Sequence, residues 1–285
     1  MKGVRNRWRR FISSAAGLAA YVLTVLALVP LALVLWHTVA NGLTAATQAS
    51  FYLNVERPIG IPGSGVAHAI VGTVVMVGLA SLIAIPIGVV GGVHLAEFGG
   101  RLAGWVRLAA DVLVGAPSIA IGLFAYVLFV APFHHFSAYA GAFALAVLML
   151  PVVVRTTEAA IALIPPSLRE SGLALGVPRW RVAMQLILPA AAPGVATGAL
   201  LAMARAAGET APLLFTSLGN RFWNIDPGRP MSALPLVVFH DALTPYPSLQ
   251  SQAWGAALVL VAGMLVVNMA SRWVLRRQAR LTGQL

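Results

Sequence analysis

Apolar positions crowd into six stretches of this chain, at residues 15–39, 66–95, 105–130, 137–161, 186–215 and 254–274, with polar positions gathered between them. A helix needs roughly 20 mostly apolar residues to cross about 30 Å of hydrocarbon, so each stretch predicts a transmembrane helix. The prolines inside them (Pro86, Pro117, Pro151, Pro193, Pro212) fit, because neighbours re-satisfy the carbonyls that a proline frees within a membrane. Segments 41–65 and 217–251 are rich in glycine, proline and aromatic residues and predict ordered caps on a bundle. The expectation is an all-α, polytopic membrane protein with six transmembrane helices.

Composition agrees: 59% of the 285 residues are hydrophobic and 9% charged, against about 25% charged in soluble domains. The net charge of +11 raises nucleic acid as a partner, but its placement argues otherwise. Lys2, Arg5, Arg7, Arg9 and Arg10, then Arg101 and Arg107, then Arg169, Arg179 and Arg181, then Arg272, Arg276, Arg277 and Arg280 all fall on one side of the predicted spans. The opposite loops hold only Arg57, Arg221 and Arg229. Basic residues accumulate on the cytoplasmic side, so both termini are expected there and no nucleic-acid partner is implied. The first apolar run exceeds the 7–15 residues of a signal-peptide core, which predicts an uncleaved anchor. The absence of cysteine excludes disulfides and thiolate chemistry. A phosphate-binding loop needs a lysine after a glycine-rich run, and the one lysine is Lys2; any ATP the protein depends on is bound by another subunit.

Between the fourth and fifth stretches the pattern breaks, with Pro165 and Pro166 followed by Ser167-Leu-Arg-Glu170. That tetrapeptide reads as a capping box, serine and glutamate each taking the other's amide. Gly176 and Pro178 then end the short helix. The result is a helix-turn-helix along the membrane face, offering Leu173, Leu175 and Trp180 beside Arg169, Glu170, Arg179 and Arg181. It reads either as an ordinary interfacial loop or as a knob for a groove on a cytoplasmic partner. Permease subunits of ABC importers carry a signature here, E-A-A, three residues, G, nine residues, I-x-L-P. Glu170, Gly176, Leu188 and Pro189 fall at those spacings, with Leu186 in the isoleucine slot and Ser171-Gly172 replacing the alanines. The resemblance implies a coupling helix at 167–176 that enters a cleft on an ATPase subunit, with Arg169, Glu170, Leu173, Gly176, Arg179 and Trp180 as coupling residues.

Inside the fifth stretch, Arg205 and Glu209 stand four apart in ARAAGETAPLLFTSLGNRFW. Each ionisable group at a helix centre costs about 2.5–3.5 kcal/mol on insertion scales, and the spacing lets the two share a face. The pair reads either as a packing device or as a pathway site, where the planar arginine fork would bind two oxygens of an oxyanion. That string resembles the permeases of the high-affinity phosphate importer, the PstA-type subunit. So do GSGVAHAIVGT (Gly63–Thr73), IAIPIGVVGGVHLAEFG (Ile83–Gly99), VGAPSIAIGLFAY (Val114–Tyr126) and MSALPLVVFHDAL (Met231–Leu243). The resemblance implies a type I ABC-importer permease fold with Arg205 and Glu209 in the phosphate pathway. It implies as partners a homologous second permease (a heterodimer), an ATP-binding subunit dimer and an extracytoplasmic phosphate-binding protein. ATP and Mg would be used by the ATPase, and this chain would bind no cofactor. The setting implied is the bacterial inner membrane. The chain then divides into a cytoplasmic basic tail (1–14), the first transmembrane helix and outer loop (15–62), the permease core (63–275) and a cytoplasmic tail (276–285).

A permease for sulfate or molybdate, and an ATP-independent channel or secondary transporter, remain as alternatives. Deleting the docking helix should leave the latter intact. A membrane enzyme has no catalytic constellation to rest on. Arg107 with Asp111 and Arg155 with Glu158 read as local ion pairs, and Glu97 as part of a helix-terminating turn or a partner contact. Gly72, Gly78, Gly88 and Gly91 suggest close helix packing. His134-His135 points apart with no carboxylate nearby, so no metal site is expected.

Overall fold

The structure, a computed structural model, describes residues 2–281, with side chains from residue 11 to residue 270; the basic side chains of the two tails lie outside the described set. Its helices are α1 (Lys2–Ala46), α2 (Ala49–Leu53), α3 (Ala67–Glu97), α4 (Gly100–Gly115), α5 (Ser118–Phe133), α6 (Ala138–Ala162), α7 (Pro166–Ala174), α8 (Arg179–Ala207), α9 (Ala211–Thr216), α10 (Leu234–Ala242) and α11 (Pro247–Leu281). Five of these are long and apolar enough to span a membrane. Helix α3 runs from the face formed by segments 41–65 and 217–251, the cap face, to the face carrying α7, the insertion face. Since α4 starts on the insertion face and α6 on the cap face, α4 and α5 together make one crossing, the sixth.

That crossing is not the single straight span the sequence predicts over 105–130. It bends by 105° between Gly115 and Ser118. Proline disfavours helical backbone in the residue before it, and Ala116, ahead of Pro117, is extended at φ −67°, ψ 135°. A second break interrupts the fifth stretch: α8 stops at Ala207 and α9 starts at Ala211. Pro212 has no N–H for the carbonyl of Gly208, and glycine holds helical geometry weakly. These two broken helices lie against each other. A Cβ at Gly122 of α5 would stand 2.6 Å from Cα of Pro212.

The core forms where α3, α6 and α8 pack, around Met76, Leu145, Met149 and Val153, joined by Leu213 of α9. Glycine permits the approach of α3 to α6. A Cβ at Gly88 would meet Val153 at 2.7 Å, and one at Gly92 would meet Thr157 at 2.5 Å. Of the four glycines singled out from sequence, Gly91 lies close against Val154, where a Cβ would stand 3.3 Å from a methyl, Gly78 faces open space, and Gly72 packs against the carbonyl of Ser232.

The cap segments are ordered. Ser64 donates from Oγ to Gln252 Oε1 at 2.8 Å, and Thr73 Oγ1 accepts the amide of Leu234 at 2.9 Å, seating α10 against α3. Helix α1 packs on α11, and most of its side chains between residues 11 and 46 are exposed.

Candidate functional site

Two places combine charge with broken or non-spanning backbone. The first is the α8–α9 break. In the antiparallel α6–α8 packing, Gly194 faces Ala160 and Gly198 faces Thr156. Continuing that register puts Arg205 level with Met149, the middle of α6. Arg205 lies in the last turn of α8 and Glu209 in the break, so the two do not share a continuous helix face as the sequence suggests. They still meet: Arg205 Nε lies 3.6 Å from Glu209 Oε1. At that distance the contact is ionic and the guanidinium keeps its donors open. The Arg205 side chain is 47% exposed and makes no other ion pair or hydrogen bond among the described residues. Non-helical backbone and a charge at membrane depth persist only where protein or a water-filled cavity covers them. This face is therefore lined by a second protein surface or by water.

The second place is the insertion between α6 and α8. The capping box is not formed. Pro166 occupies the first helical turn, where its missing N–H costs nothing, Pro165 is the N-cap without a side-chain cap, and Ser167 lies inside the helix. The C-terminal end is as predicted: Gly176 takes φ +77°, its amide bonding to the carbonyl of Leu173 and that of Val177 to Gly172. Gly172 packs on Val182 and Leu186, where a Cβ would meet Val182 at 3.0 Å.

Arg169 turns inward. Its Nε donates to Glu97 Oε1 at 2.6 Å and a terminal nitrogen donates to the carbonyl of Ile161 at 3.2 Å. Arg179 donates to the carbonyl of Glu97 and lies over the Phe98 ring, 5.5 Å from its centre. Both arginines thus bind the insertion to the end of α3. Glu170, Leu173, Leu175 and Trp180 stay exposed, and Arg181 lies 5.2 Å from the Trp180 ring. Glu97, buried with its partner 72 residues along the chain, is an anchor within this chain, where the sequence reads as a helix-terminating turn or a partner contact; the one signal was a lone acid closing an apolar helix.

The ion pairs assigned locally to Arg107–Asp111 and Arg155–Glu158 are in fact one network between α4 and α6. Arg107 binds Glu158 at 2.7 Å, Arg155 reaches Asp111 at 3.2 Å, and Arg155 also binds Glu158 at 2.8 Å. Arg107 reaches the carbonyl of Leu95 as well. The network fixes bent α4 to the insertion-face ends of α3 and α6.

The sequence model described as "binding-protein-dependent transport system inner membrane component" matches residues 84–280, a span that holds both places. The chain belongs to this family. Relatives of this inner-membrane component include a protein named phosphate transport system permease protein PstA from Yersinia pestis, 40% identical over 96% of this chain and 93% of that protein. One of the same name from Xylella fastidiosa (strain 9a5c) is 44% identical over 75% of each chain. PstA 1 of Mycobacterium tuberculosis (strain ATCC 25618 / H37Rv) is 38% identical over 96% of this chain and 91% of its own. In fold, the family member resembles a solved inward-facing structure of the MetNI methionine ABC transporter. The match has a TM-score of 0.63 and 18% identity, and covers 74% of this chain and 95% of that one. As a permease of this family, the chain is a multi-pass component of a transport system with further subunits.

Proposed function

We propose that this chain is a permease subunit of an ATP-driven importer of inorganic phosphate. The relatives named phosphate permeases, at 38–44% identity, carry that reading. The insertion face is cytoplasmic and holds both termini. There α7 with Glu170 and Leu173, joined by Trp180 at the start of α8, enters a cleft on an ATPase dimer, while Arg169, Gly176 and Arg179 hold its position. Mg-ATP is bound by that dimer. A homologous second permease covers the α8–α9 break, and an extracytoplasmic phosphate-binding protein delivers the anion to the cap face.

At the break, the open donors of Arg205 suit two oxygens of phosphate, and its charge persists at any working pH. Glu209 accepts from the P–O–H of a protonated phosphate. Sulfate carries no such proton at neutral pH and would leave Glu209 facing an anion.

Radiolabelled phosphate uptake tests this, in a host lacking its own high-affinity system and supplied with the partner subunits, using wild type and Arg205→Gln at equal membrane abundance. Uptake that needs ATP, resists excess sulfate and fails in the variant is the expected result. Competition by sulfate or absence of uptake overturns the substrate, and uptake surviving deletion of 167–176 overturns ATP coupling.

A further inference from the structure

On the cap face, the loops following α2 and α9 and the end of α10 enclose a cavity of about 380 Å³. Its walls include Glu56, Asn220, Arg221, Ser232, His240 and Asp241. Two acids line it. The Asp241 residue is 1% exposed and its Oδ2 has no hydrogen-bond partner. The Glu56 side chain is 7% exposed and its one counter-charge among the described residues is Arg221, with Nε at 3.2 Å from Oε1. Arg221 itself is 69% exposed and belongs to a stretch without helix. A mostly solvated cation therefore plugs a site whose anions are buried. An unpaired buried carboxylate oxygen is costly, and one guanidinium reaching Glu56 from the rim leaves that cost at Asp241 in place.

The groups around the cavity exclude an anion as its occupant. Burial pushes the carboxyl of Glu56 up, Arg221 opposing, and burial with the Glu56 charge raises that of Asp241 to about 7. Burial and Arg221 hold His240 below its usual range, hence neutral at pH 7. An entering anion would face two acids and one cation that is already paired. Nor do the acids and the imidazole form a metal-holding cluster among the described residues. Phe222, Trp223 and Ile225, which follow Arg221 along the chain, and Leu243, two residues past Asp241, are exposed. Exposed aromatic and aliphatic side chains surrounding a buried polar centre are the anatomy of a protein interface.

We propose that this cavity receives a lysine or arginine side chain of the extracytoplasmic binding protein, which displaces Arg221 and sits between Glu56 and Asp241. This rests on the reading of the cap face as extracytoplasmic. Arg221 is then a resident stand-in for the partner's cation. The incoming charge favours ionised Asp241, so docking releases a proton.

The test uses the whole assembly in nanodiscs and its purified binding protein, with the docking constant measured at pH 6 and pH 8. Release of one proton from a group with pKa near 7 makes wild-type docking about tenfold tighter at pH 8. Asp241→Asn should weaken docking at pH 8 by about tenfold or more and remove the pH dependence. Arg221→Gln should tighten docking, because the competitor is gone; a purely structural role predicts loss in both variants. Glu56→Gln, weakening docking with Asp241 intact, covers poor folding of the Asn variant. Unchanged affinity in all three, as expected if the cavity serves a free cation or a lipid amine, overturns the proposal, as does weaker docking by Arg221→Gln. Failure of the phosphate-importer reading looks different: the wild-type assembly then gives no phosphate uptake with this binding protein.

Discussion

Arg169 of the insertion and Glu97 at the end of α3 form a buried ion pair, Nε to Oε1 at 2.6 Å. It joins segments 72 residues apart and makes the docking helix part of the bundle. Breaking a buried pair from one side is costly because the other charge stays uncompensated. Glu97→Gln should destabilise the permease by about 3 kcal/mol, with some relief because Arg169 is partly exposed. It should also lower transport-coupled ATP hydrolysis more than basal hydrolysis. Thermal unfolding of the assembly and ATPase assays check the two parts.

Trp180 and Leu175 are exposed and make no core contact. Trp180→Ala should leave the melting temperature of the isolated permease within a degree or two while weakening retention of the ATPase on affinity purification. A large loss of stability would move Trp180 into the packing of the insertion.

Gly72 and Gly78 differ by less than two turns of α3 and make opposite predictions. A Cβ at Gly72 would stand 1.9 Å from the carbonyl oxygen of Ser232, whereas one at Gly78 meets nothing within 4 Å. Overpacking typically costs 1–3 kcal/mol, so Gly72→Ala should lose at least about 2 kcal/mol. Gly78→Ala should be neutral or slightly stabilising. Chemical unfolding of the two side by side decides it.

Asp241 sets a pH dependence of stability. Its carboxyl titrates near 7 in the folded chain against 3.8 when free, with Glu56, Arg221 and His240 facing it. Between those values the folded state holds the extra proton, so this residue's contribution to stability falls as pH rises from about 4 through 7. The melting temperature of wild type relative to Asp241→Asn should therefore be lower at pH 8 than at pH 5. A difference independent of pH would refute the shifted titration.

The crossings were legible in the sequence because a membrane span is a local property of about 20 residues. Gly176 was legible for the same reason, since a left-handed helix end needs glycine whatever surrounds it. The start of α7 was misread because two signals overlap, Pro166 at the first helical position and Ser167 one residue later, and proline at that position takes precedence over a serine cap. The break at Pro117 was hidden by hydropathy, which stays apolar on both sides of it, and the one at Gly208 was hidden because Arg205 and Glu209 read as a pair on a continuous helix. Ion pairing failed most instructively. Arg107 and Asp111 are spaced to pair on one helix, yet Arg107 chooses Glu158 of α6, a choice that depends on the α4 bend. The pair at Arg205 and Glu209 was found by its cost in hydrocarbon, but its broken backbone was not.

Helix α3 has a dimensional consequence. It is anchored at the cap end through Thr73 and Gly72 and at the other end through Glu97, and its 31 residues rise about 1.5 Å each. The two anchorages sit near opposite ends of one rod about 45 Å long. Partners that grip the cap and the insertion are thereby kept at a set height from each other, so this subunit acts as the assembly's spacer as well as its channel wall.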